Sequence, residues 1–201
     1  MSNTVARETR RTTTGLRMTV DQFFDLPGDG TGRLYELVHG EPRAQDAASA
    51  THGAIQQRLG TILTLHLDAK RPGCRVVANP GIRPQLLANW NHRIPELGVT
   101  CVPDAPEVRH LPDPILIVEV LSPTNEDDTW SNVPLYATLP TVMEILLVDS
   151  TRIEALLLRR GADGHWPQGP TTFGPGATVE LTSIGLSFPL REAYRDTYLA
   201  E

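Results

Sequence analysis

Lysine is almost missing from this chain: of 18 basic residues only Lys70 is a lysine, and the others are arginines. Arginine grips phosphates but stays protonated, so the basic residues supply next to nothing that can act as a general base. Cysteine is scarce as well. Cys74 and Cys101 are too few for a disulfide framework and show no metal-ligand spacing, so idle or buried thiols in a reducing compartment are expected. No apolar run approaches the roughly 18 residues of a membrane span, and no signal-peptide core follows Met1. A cytoplasmic protein is the resulting expectation. Excess positive charge is lacking too. A formal charge of −6 excludes a molecule-wide attraction to nucleic acid and leaves only a local basic groove.

What is present suffices for a buried core, since 201 residues fit one domain with a short tail. Residues 1–17 are rich in Thr and Arg without apolar periodicity and read as a flexible tail, leaving 18–201 as a single domain. Thr19 or Asp21 can cap a short helix running through Phe24 and Leu26. Two extended runs, 34–38 and 41–44, flank His39-Gly40 and predict a β-hairpin with a tight turn. Ser49 or Thr51 precedes a helix over 52–70, where Ile55, Leu59, Ile62, Leu63 and Leu67 form one apolar stripe. Strands are expected at 74–78, 82–87 and 99–108, with a loop carrying Trp90 between the last two. The run 115–121 is apolar and rich in β-branched residues, as in a central strand buried on both faces. A helix over about 127–137 and a strand at 144–148 follow, an order that implies a right-handed crossover and a parallel pair. A strand at 153–159, a Gly/Pro-rich loop at 161–176, a strand at 178–181 and a helix from Arg191 complete the reading.

One residue interrupts the central run: Glu119. An ionised carboxylate buried there costs several kcal/mol unless a cation compensates it. A structural ion pair with an arginine is one solution; a metal ion is another. Asp104 lies fifteen positions earlier, after Pro103. If the two strands are neighbours, the carboxylates converge, and two hard oxygen ligands suit Mg²⁺ or Mn²⁺. Glu36 in the hairpin is a third candidate acid, with an exposed strand position as its plain alternative.

The order of "YELVHGE", "VPDAPEV", "LIVEVLSP", a tyrosine-containing helix and "EILLVDS" resembles the bacterial putative restriction endonuclease family of the PD-(D/E)XK superfamily. The resemblance implies an α/β, restriction-endonuclease-like core with a mixed central sheet flanked by helices and an N-terminal hairpin. It implies Asp104 and Glu119 as metal-binding acids, the carbonyl of Val120 as a further ligand, and Glu36 as an acid lent by the hairpin. His52 resembles a histidine found at the start of the long helix, where a helix-terminal role serves equally well. The activity implied is metal-assisted hydrolysis of DNA phosphodiesters, in an assembly expected to be a homodimer.

Two departures stand out. The position two after Glu119, where the superfamily name calls for lysine, is Leu121. The relocated lysine expected four positions before Tyr136 is Asn132, which orients water through its amide but takes no proton. An alternative to an endonuclease is therefore a nuclease-like fold without catalysis, acting as a binding or regulatory module. An endonuclease would gather arginines at the acids, with Arg75, Arg83, Arg93 and Arg109 as candidates. The Trp90 loop suits either a DNA groove or a partner protomer.

Overall fold

A computed structural model describes residues 17–200; the segment expected to be a tail lies, except for Arg17, outside them. Thr19 caps α1 (Val20–Phe24) in a reciprocal box with Gln22. The hairpin forms as β1 (Tyr35–Val38) and β2 (Glu41–Ala44), antiparallel. His39 and Gly40 both take positive φ, 52° and 88°, the turn geometry that matches strand twist. Ser49 accepts from the His52 amide and starts α2 (Ala50–Lys70). Its Ile55, Leu59, Leu63 and Leu67 are buried at four-residue intervals, each contributing about 1.5–3 kcal/mol by leaving water.

The central sheet has six strands. In spatial order they are β3 (Arg75–Ala78), β4 (Leu97–Thr100), β5 (Pro114–Leu121), β6 (Glu144–Asp149), β7 (Ala155–Arg159) and β8 (Thr171–Phe173). Only β5 and β6 run parallel, joined across α3 (Glu126–Tyr136), and the other pairs are antiparallel. The sheet is mixed, as the sequence predicts. Alternation along β5 divides the core: Leu116, Val118 and Val120 pack toward α2, whereas Ile117 and Leu121 pack with Val133 and Tyr136 of α3. A second hairpin, β9 (Thr178–Leu181) with β10 (Leu186–Pro189), closes the α2 layer.

Several expected elements differ. The segment 82–87 is a loop touching Arg93 through one bridge at Ile82, because Pro84 and the positive φ of Leu87 break any ladder. The strand expected over 99–108 ends at Thr100; Pro103 has no amide to continue it. The loop 161–176 contains β8, and a further strand, β10, follows the one expected to be last at 178–181, since Leu186 and Phe188 alternate inward. The C-terminal helix is two short 3-10 turns, Leu190–Tyr194 and Tyr198–Ala200.

The cysteines are also not idle. Cys74 and Cys101 are joined in a disulfide. The pairing of Arg75 with Thr100 sets residues 74 and 101 opposite each other across two antiparallel strands. Their 27-residue separation in sequence gave no hint of this.

Candidate active site

The sheet register decides which acid meets Glu119. Leu97 pairs with Val118 in an antiparallel ladder, so the residue before Leu97 falls beside the one after Val118. That residue is Glu96. Its carboxylate accepts from the Val120 amide at 3.1 Å and from His52 Nε2 at 2.8 Å. The carboxyl groups of Glu96 and Glu119 are hydrogen-bonded to each other, and Tyr136 donates to Glu119 at 2.7 Å. Glu36 lies on the same cavity, where its carboxylate accepts from the Ile94 amide at 2.7 Å and stands 3.9 Å from Arg93.

Two carboxyl groups this close and this dry cannot both ionise easily. Burial pushes Glu119 well above the ordinary carboxylate range, and the adjacent charge of Glu96 adds to it. Burial acts to raise Glu96 as well, but hydrogen bonds from Glu119 and His52 outweigh it and hold that group down. The proton of the pair therefore rests on Glu119. Burial likewise raises Glu36, opposed by the Ile94 amide and Arg93. The floor is thus an acid cluster, with the His52 ring and the Arg93 guanidinium against it.

Asp104, expected beside Glu119, is elsewhere. The ladder runs from Leu97 near Glu119 to Thr100 at Pro114, and Asp104 lies four residues beyond that far end. Five strand positions alone separate Glu119 from Pro114 by about 17 Å. The Asp104 side chain is 80% exposed and faces Arg75 at 3.6 Å. Glu119, Glu36, His52 and Asn132 do converge, on a cavity of about 1510 Å³ under the N-terminal hairpin. Asn132 is buried in α3, which begins at Glu126, so it is no helix cap; Pro134 sits inside the same helix. The Val120 carbonyl accepts from Asn125 at 3.2 Å and keeps a second lone pair.

Of the four candidate arginines only Arg93 lines this cavity. Arg75 is held by Val102 and Asp104, Arg83 by Ala88 and Asn89, and Arg109 lies over Phe24. Arg33 and Arg43, unremarked in the sequence, stand on the cavity's hairpin side. The Trp90 loop supports the hairpin. Its carbonyl accepts from Gly40 at 2.7 Å, and its ring leaves no room for a side chain there. Sequence reasoning also missed Glu96. The available signal was a Pro-acid pair, Pro95-Glu96, placed directly before a short apolar strand rather than after it.

Comparison with known proteins now decides the kinship. The family model described as "Uma2: Putative restriction endonuclease" matches residues 20–191. The chain belongs to that family. It is also 34% identical, over 163 residues, to the uncharacterized protein slr1290 of Synechocystis, covering 80% of this chain and 83% of the relative. The fold is similar to a crystal structure described as a putative nuclease belonging to DUF820 from Anabaena variabilis. The TM-score is 0.69 at 18% identity, covering 89% of this chain and 98% of that one. The protein is a PD-(D/E)XK-like nuclease superfamily member, with the mixed sheet and hairpin that this architecture implies.

Superfamily membership raises metal dependence, and the donor set bears on it. Among the described residues no three His, Cys, Asp or Glu side chains are grouped to hold an ion by themselves. Two carboxylates and one carbonyl are nonetheless what a magnesium-like ion takes from protein, with water and phosphate filling its other positions. Glu96 and Glu119 would hold such an ion, whose charge would offset the repulsion between their carboxylates. The residues fit such an ion.

Proposed function

We propose that this protein is a nuclease-like module that binds nucleic acid and a divalent cation without efficient hydrolysis. One observation carries the reading: the cavity around the acid pair has no lysine. Leu121 stands two residues after Glu119, Asn132 occupies the α3 wall, and Lys70 ends α2 outside the cavity lining. A magnesium or manganese ion, when bound, would polarise a phosphate and lower the pKa of its water. Glu96 and Glu119 would hold that ion, with the Val120 carbonyl beside them. His52 fixes Glu96 in place, and Tyr136 fixes Glu119. Removing a positioned acid–base group costs about 10²–10⁴-fold in rate, enough to turn a nuclease into a binder. A homodimer belongs to this proposal, since pairing two cavities suits a regulatory module.

A second reading, a metal-dependent endonuclease acting on DNA, has one observation in its favour. The amide of Asn132 lines the same cavity as the acids, where it can orient a water. Plasmid nicking in Mn²⁺ separates the two. The binding module predicts no nicking by the wild type and nicking by Asn132→Lys. Robust nicking by the wild type that Asn132→Ala abolishes would establish the endonuclease instead.

A further inference from the structure

We propose that Tyr198 is a stacking platform for an unpaired nucleobase, making single-stranded nucleic acid the ligand of this cavity. The inference rests on the nucleic-acid-binding reading above and names its substrate class. Tyr198 lines the same cavity as the hairpin residues. It is 63% exposed, and among the described residues it is the one exposed aromatic side chain of Phe, Tyr or Trp type. An aromatic ring in water is unusual in a chain with so few of them.

Its placement is held by structure. In the 3-10 turn Tyr198–Ala200, Leu199 packs on the main core while Tyr198 turns outward. Thr197 ties the turn down: its hydroxyl donates to the Tyr194 carbonyl and accepts from the Leu199 amide. Tyr194 is itself buried and donates to the carbonyls of Asp149 and Glu154. The turn that carries Tyr198 is therefore tied to the end of β6, the parallel neighbour of the strand that carries Glu119.

The hairpin side of the same lining offers complementary chemistry. Arg43 of the hairpin, and Arg33 and Leu34 just before it, are exposed residues of that lining. Arginines take phosphate oxygens, and an aromatic face takes a base of any identity. A paired base hides its faces inside the duplex stack, so only an unpaired one can use the ring. Charge explains the modest scale of the arrangement: with acids on the floor, phosphate contact falls to two rim arginines, and stacking supplies the remainder.

The test uses the full chain loaded with Ca²⁺, and fluorescence anisotropy with a short oligothymidylate, its abasic counterpart and a blunt duplex. The wild type is expected to bind the oligothymidylate most tightly. Tyr198→Ala should weaken that binding about tenfold, leave the abasic strand unaffected, and be rescued by Tyr198→Phe. Equal affinity of wild type and Tyr198→Ala, or equal loss on the abasic strand, overturns the platform. So does preference for duplex. Calorimetry with Ca²⁺ alone separates the underlying reading: tyrosine-dependent binding without calcium uptake supports the platform and removes only the metal site.

Discussion

At the residue scale, the account turns on a carboxyl group held protonated inside the core. Raising a carboxyl's pKa on folding makes the native state keep a proton the unfolded chain releases, so stability falls as pH rises above the ordinary Glu range. Glu119→Gln keeps the shape and removes that loss. In metal-free buffer its melting temperature should exceed the wild type's by several degrees at neutral pH, with the difference fading toward pH 4; Mn²⁺ binding should vanish. His92 gives a prediction of opposite sign. Burial, then the charges of His110, Arg93 and Arg83, push it down to about 4, against about 6.5 when unfolded. The unfolded chain thus binds more protons between those values, and acidification should cost up to about 3 kcal/mol through this group. Urea titrations should show the slope flattened in His92→Gln. Glu119 was legible in the sequence because a charge in an apolar strand is conspicuous. Glu96 was not, since an acid before a strand is ordinary until register shows what stands opposite.

At the element scale, the helical period and the continuous apolar run were read correctly where the element is long or buried on both sides. The stripe of α2 and the run of β5 are such cases. The edges were harder. The expected strand at 82–87 has the composition but cannot pair, and β8 and β10 are masked by the Gly, Pro and Ser residues in and beside them. The hairpin depends on Gly40, where an added Cβ would lie 2.9 Å from the Trp90 ring and 3.2 Å from the Met18 carbonyl, at a φ of 88°. Gly40→Ala should cost about 1–3 kcal/mol in urea unfolding. Because this hairpin carries Glu36 and Arg43, with Arg33 just before it, the same change should also weaken nucleic-acid binding.

At the scale of the whole molecule, antiparallel register does what sequence distance cannot. It joins Cys74 to Cys101 at one end of the β3–β4 pair and brings Glu96 to Glu119 at the other. A link between residues 27 apart restricts the unfolded chain by about 3.5 kcal/mol. Reductant or Cys74→Ser should lower the denaturation midpoint accordingly and leave metal affinity alone, since the bridge lies away from the cavity. The central claim is that the acid partner of Glu119 is Glu96 and not Asp104. Calorimetric titration with Mn²⁺ of the wild type, Glu96→Gln and Asp104→Ala tests it most directly. The account predicts saturable binding by the wild type and Asp104→Ala, and none by Glu96→Gln. Binding lost with Asp104→Ala and kept with Glu96→Gln would contradict it.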